Sequence, residues 1–314
     1  SILTNYQAWI CRALVFLSRS ILLVAPPFPR HNARMTVWWN GQLIPAEQVR
    51  LSPMDHGLLV GDGVFETLLA RHGRPFAVTR HHRRLEGSCA ALGLQAPDLE
   101  TVRAAFQAML EANQLSEARL RLTLTSGEGP AGSERKPGAQ QTLLITATAL
   151  NQWGPTEKLH PSPWPRLSCG ALTGVKSTSY AENVRALALA KANGAGECLF
   201  ANEHGDICEG TGSNVFLVRD GHVETPALES GCLEGVTRGL VLEVARRLGI
   251  GVVETTLPMR LLTEGAVDEV FLTSTTRDVQ PVHALGVREF PAPGPVTTRL
   301  REAFLEWQHA EPDP

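Results

Sequence analysis

Asn40-Gly41 lies between apolar runs in VWWNGQLIP, residues 37–45, a pattern that predicts a tight hairpin. GLLVGDGVFETLLARHGRPFAV, residues 57–78, predicts a second turn-punctuated pair of strands. The period then changes. Leu85, Cys89 and Leu92 recur at helical spacing in HHRRLEGSCAALGL, and Val102, Phe106, Met109 and Leu110 mark one face of a helix from about Asp98 to Asn113. Two strands, RLRLTLTS and QTLLITAT, close this half. The stretch Asn151 to Arg166 carries four prolines and little periodicity, so it reads as a connection between domains. Beyond it the pattern predicts a helix over Tyr180 to Asn193, a strand at ECLFAN, and a hairpin NVFLVRDGHVET turning at Asp220-Gly221. Val236, Leu240, Val244 and Leu248 then share a helix face that stops at Gly249. The strand EVFLTSTT and an amphipathic helix with Leu300, Phe304 and Trp307 complete the chain. Strands and helices mixed in this way give an α+β class, with a smaller domain over 35–155 and a larger one over 156–314.

The first 34 residues stand apart, with short apolar runs interrupted by arginines and broken at Pro26, Pro27 and Pro29. No run there reaches the roughly 18–20 apolar residues of a membrane span, and no charged segment precedes a small-residue cleavage site. They read as an extension upstream of the working domain, to which the pattern assigns no role. The remainder is long enough, at 43% hydrophobic residues over 314, to bury two medium cores. A formal charge of -3, from 29 basic and 32 acidic residues, excludes a field that draws in nucleic acid or an anionic membrane. The expected partners are a small molecule and another protein chain. Six widely spaced cysteines form no CxxC pair, which speaks against a zinc site and for reduced thiols in a cytoplasmic protein.

Lys176, in ALTGVKSTSYAENVRA, falls between an expected strand end and a helix start, where an amine can point into a cleft. A lone lysine is ordinarily a solvated surface group. Its company changes the reading, because an amine that binds an aldehyde cofactor needs a depressed pKa, a partner for a ring nitrogen and a seat for a phosphate. Glu209, thirty-three residues downstream in ICEGTGSNVFLV, is a carboxylate placed to hold a pyridine nitrogen, or else a strand-end glutamate facing water. Gly235, Val236 and Thr237 sit at an expected helix N-terminus, which favours phosphate or is an ordinary cap. The hydroxyls of Thr273, Ser274, Thr275 and Thr276, and the guanidinium of Arg84, add further anion donors. Gly127, Gly129 and Gly132 also satisfy GxGxxG after a strand, but a dinucleotide site needs a helix next, and SERKPGAQQ leaves no room for one.

Six segments in order, GDGVFET at 61–67, HHRRLEGS at 81–88, GVKSTSY at 174–180, EGTGSNVF at 209–216, SGCLEGVTR at 230–238 and TSTTRDVQPV at 273–282, resemble the class IV aminotransferase family. These are fold-type IV enzymes of pyridoxal 5'-phosphate, and the resemblance covers about 35–285. It implies a two-domain molecule with a smaller N-terminal domain and a larger C-terminal pseudo-barrel. Lys176 is then the Schiff-base lysine and proton shuttle, and Glu209 the partner of the pyridine nitrogen. Arg84, Val236, Thr237 and Thr275 match the phosphate-binding positions. Tyr180 is similar to the tyrosine that hydrogen-bonds the phenolic oxygen, although it follows the lysine by four residues where the branched-chain type spaces it by five. The family also implies a homodimer acting on a small amino substrate.

Thr67, at the end of GDGVFET, matches a threonine of the lyase branch where the branched-chain branch usually has glycine. This resemblance implies an aminodeoxychorismate lyase giving 4-aminobenzoate and pyruvate, with a branched-chain or D-amino-acid aminotransferase as the alternative. The loop TSGEGPAGSERKPG departs from both, since Glu128, Pro130 and Ala131 stand where family members place substrate-reading arginines. Arg135 and Lys136 are the possible substitutes.

Overall fold

Residues 35–314 are described by a computed structural model; residues 1–34, and with them the upstream extension and Cys11, lie outside the described residues. The opening hairpin forms between β1 (Thr36–Trp39) and β2 (Gln42–Pro45), and its turn places Asn40 at φ 46 and Gly41 at φ 91. Two successive left-handed residues match the right-handed twist of the flanking strands, and Asn and Gly tolerate that conformation best. Strands β3 (Gly63–Arg71), β4 (Arg74–Pro75), β5 (Ala118–Thr125) and β6 (Thr142–Thr148) join them in a six-stranded antiparallel sheet of order β2-β1-β6-β5-β3-β4.

Alternation along β3 and β5 divides this sheet into two unlike faces. Val64, Leu68, Leu120, Leu122 and Leu124 pack with Leu85 and Cys89 of helix α2 (Val78–Leu92) and with Val102, Phe106 and Met109 of α3 (Leu99–Ala112). Asp98 caps α3 by accepting the Thr101 N–H at 2.8 Å. The opposite face carries Phe65, Thr67, Arg121 and Thr123.

The second sheet holds β7 (Glu157–Pro161), β8 (Glu197–Ala201), β9 (Ile207–Gly210), β10 (Asn214–Arg219), β11 (His222–Pro226), β12 (Val252–Thr255), β13 (Glu269–Ser274), β14 (Asp278–Leu285) and β15 (Arg288–Glu289). Its order is β12-β11-β10-β13-β14-β7-β8-β9, with β15 on β14. The strand NVFLV reads as a continuous apolar run because both faces are covered. Phe216 and Val218 pack with α5 (Val236–Arg247) and α7 (Pro295–Ala310), while Val215 and Leu217 belong to a core with Leu199 and Leu272. The hairpin turn has Asp220 at φ 50 and Gly221 at φ 74. The remaining helices are α4 (Ala181–Ala192) and the short α1 (His56–Leu59) and α6 (Arg260–Thr263).

Three expectations are corrected. Leu58 and Leu59 lie in helix α1, capped by Asp55, rather than in a strand; so short an apolar run does not distinguish the two. The proline-rich connection contains β7, which pairs in parallel with β8 and β14, so flanking prolines masked a strand. Lys176 does not follow a strand end. Its segment is an irregular stretch attached to β3 by a bridge between Val64 and Ser177. No helix follows the glycines at 127–132, where the chain runs on as a loop to β6.

Candidate active site

The segment GVKSTS is pinned on two sides, and the pinning aims its lysine. The Lys176 N–H donates to Ser88 Oγ of α2 at 3.2 Å, and its carbonyl accepts the Phe65 N–H at 3.0 Å. The Thr178 N–H donates to the Gly63 carbonyl at 2.8 Å. The side chain therefore enters a cavity between the two sheets, with Nζ 4.4 Å from the Phe65 ring centroid and 5.9 Å from that of Tyr180. Burial, and next the Arg84 charge, push the Lys176 amine down to about 8.

Eight of the side chains singled out by the sequence line this cavity as the resemblance implies: Thr67, Arg84, Lys176, Tyr180, Glu209, Val236, Thr237 and Thr275. They come from β3, α2, the 162–180 segment, β9, α5 and the turn after β13. Glu209 Oε2 accepts the Leu233 N–H at 2.9 Å, and Oε1 stands 3.8 Å from Arg166 Nε. Burial raises the Glu209 carboxyl above its ordinary pKa, and the Arg166 charge opposes that rise. Tyr180 packs edge-on against Phe65 at 5.0 Å, and burial pushes its phenol up to about 12. Helix α5 starts at Gly235 with no side-chain cap on its first-turn N–H groups. Glycine is required there, since a Cβ would lie 2.0 Å from Asn214 Oδ1.

Pattern reading missed Arg121, Phe65 and Arg166. Arg121 alternates with Leu120 and Leu122 in β5, which marks it as a polar-face residue. That face is the cavity wall, not bulk solvent. Its Nε donates to Thr123 Oγ1 at 3.2 Å and its guanidinium lies 3.8 Å over the Phe65 ring, with no carboxylate paired to it among the described residues. Arg135, a possible substrate reader, instead pairs with Asp62 and donates to the Leu92 carbonyl, and neither it nor Lys136 lines this cavity.

The family model for amino-transferase class IV matches residues 63–285. A branched-chain-amino-acid aminotransferase of Pseudomonas aeruginosa is 28% identical over 289 residues, covering 86% of this chain and 92% of that protein. A D-alanine aminotransferase of Listeria monocytogenes is 28% identical over 285 residues, covering 87% and 96%. Among solved structures, a branched-chain amino acid aminotransferase from Escherichia coli superposes with a TM-score of 0.81 at 26% identity, covering 87% of this chain and 94% of that one.

Proposed function

Since the chain belongs to the class IV aminotransferase family of pyridoxal-phosphate-dependent enzymes, we propose that it transfers the amino group of a small anionic amino acid, with the cofactor attached at Lys176. The observation that carries this reading is the convergence of a depressed lysine, a half-buried carboxylate and an anion seat on one cavity. The residues fit the cofactor. Thr273 Oγ1 is buried and has no hydrogen-bond partner among the described residues, and the uncapped first turn of α5 lines the same cavity, so both could donate to phosphate oxygens. Arg84, Val236, Thr237 and Thr275 would hold the phosphate, Tyr180 the phenolic oxygen and Glu209 the pyridine nitrogen. When bound, the cofactor supplies an electron-withdrawing ring that acidifies the C–H bond beside the substrate amine.

The chain's own residues do the rest. Lys176 Nζ, neutral in an appreciable fraction near pH 7 to 8, would take the proton from the substrate carbon and deliver it to the cofactor's former aldehyde carbon, the shift that moves the amino group. Glu209 would hold positive charge on the ring nitrogen, and the walls of Phe65 and Tyr180 would limit water at the reacting carbon. Arg121, which pairs with no carboxylate among the described residues, would offer its charge to a substrate carboxylate. Arg121→Gln is expected to raise KM for the amino acid by about 10- to 100-fold, with a smaller change in kcat. Steady-state kinetics check this, and an unchanged KM would place carboxylate recognition elsewhere.

The relatives' names support amino transfer as the first reading. A second reading, cleavage of aminodeoxychorismate to 4-aminobenzoate and pyruvate, is favoured by Thr67, which lines the cavity opposite Arg121 in the β3–β5 register. A direct competition separates them. Leucine or D-alanine with 2-oxoglutarate should give the faster product, and faster release of 4-aminobenzoate would overturn the first reading in favour of the second.

A homodimer is also proposed. Leu58, Leu59, Val60, Leu167 and Leu172 are exposed around a second cavity that shares Tyr180 and Glu209 with the first, and so large an apolar rim marks a contact surface. Sedimentation should find two chains per particle, and a monomer at micromolar concentration would refute the assignment. Cys89, Cys169, Cys198, Cys208 and Cys232 are unpaired, which supports a reducing, cytoplasmic setting. Among the described residues no helix is long and apolar enough to cross a membrane.

A further inference from the structure

Glu66 breaks the apolar face of its sheet. It lies in step with Val64 and Leu68 on β3 and opposite Leu122 on β5, on the face packed against α2 and α3, and is 2% exposed. A carboxylate in such surroundings is costly unless its oxygens are all engaged by charge or hydrogen bonds. They are. Arg84 Nε donates to Oε1 at 2.7 Å, Arg84 NH2 donates to Oε2 at 2.7 Å, and His81 Nδ1 lies 2.7 Å from Oε2. His81 and Arg84 are three residues apart on α2, so both project from one side of the helix onto the same carboxylate. The pair holds the Glu66 carboxyl well below its usual range.

The other edge of the guanidinium faces the cavity. Arg84 NH1 donates to the Glu234 carbonyl at 3.0 Å, one residue before the glycine that starts α5. A rigid link thus runs from β3 through Arg84 to the segment that sets the first-turn N–H groups of α5. With two edges of a planar fork fixed, the guanidinium has no rotational freedom left to lose when an anion arrives.

We propose that Glu66 is a positioning residue of the phosphate seat: it orients Arg84 for a phosphomonoester and so sets the preference for a phosphorylated over an unphosphorylated cofactor. This rests on the reading of the site given above. Glu66 does not line the cavity, and its charge reaches the Lys176 amine alike whether or not the ligand carries a phosphate, so the ratio of the two affinities isolates its effect on the phosphate end.

The test compares pyridoxal phosphate with pyridoxal, which has the same ring and aldehyde but no phosphate. Apo-protein of the parent, Glu66→Gln and Arg84→Gln is titrated with each and read by visible absorbance. Glu66→Gln should weaken pyridoxal phosphate binding by at least about tenfold more than it weakens pyridoxal binding, as expected when a charge-assisted anchor is misdirected. In the Arg84→Gln background the same substitution should add nothing further, because one contact has already been removed. If Glu66→Gln does not fold, Glu66→Asp carries the test. It keeps the charge, withdraws it by one methylene from the bidentate contact, and should show the same loss of preference. Equal weakening of both ligands, additivity with Arg84→Gln, or a folded variant with the parent's preference would each overturn the proposal. A parent protein that binds neither ligand would instead remove the cofactor reading beneath it.

Discussion

Lys176→Ala is expected to lose the visible absorption band of the cofactor-loaded protein and its turnover together, the latter by more than about a thousandfold. The chain has four lysines, Lys136, Lys158, Lys176 and Lys191, and only Lys176 lines the cavity, so no neighbouring amine can take its place. On the proposed reading an alanine there also removes the group that moves the substrate proton, so binding and turnover should fall together. The same amine sets a pH dependence. Burial and the Arg84 charge bring it to about 8, so below that pH it is mostly an ammonium and cannot attack the cofactor aldehyde. The rate of cofactor capture by apo-protein should rise with pH, reach half its maximum near 8 and level off above it. Rapid-mixing absorbance measures this, and a rate still climbing steeply past pH 9 would indicate a lysine in water.

Glu209→Gln is expected to retain cofactor but to lower kcat by roughly 100-fold or more, the scale of losing one buried electrostatic contact to a charge that the reaction depends on. The isosteric amide preserves the shape of the site and can keep its contact with the Leu233 N–H. What it lacks is the negative charge proposed to face the ring nitrogen. The carboxylate is itself under tension, since burial favours its neutral form and Arg166, 3.8 Å from Oε1, favours the charged one. Steady-state kinetics at saturating cofactor decide the matter. Turnover equal to the parent's would assign the role of ring-nitrogen partner to another group.

Much of this site was legible because its residues sit where the chain changes period. Lys176 and Tyr180 precede a helix, Glu209 and Thr275 lie at strand ends, and Val236 and Thr237 open a helix. Such positions are marked by glycines and hydroxyls in an otherwise apolar pattern, and all of them converge on the cavity. Arg121 was not legible, because alternation in β5 says only that it faces away from the core. Whether that face meets water or a second sheet is decided by the packing of segments far apart in the chain. Glu66 was hidden for the opposite reason. Its position on the core side contradicts its charge, and only the fold shows that Arg84 and His81 resolve the contradiction. Strand β7 was obscured by prolines that flank it, and α1 by an apolar run too short to have a period.

The most direct test of the central claim is to reduce the cofactor-loaded protein with borohydride, digest it and map the phosphopyridoxyl label by mass spectrometry. Reduction converts a lysine–aldehyde linkage into a stable amine, so the label records which Nζ held the cofactor. The account predicts a single labelled peptide carrying the modification on Lys176. A label on Lys136, Lys158 or Lys191, or no label on a protein that nonetheless turns over substrate, would contradict it.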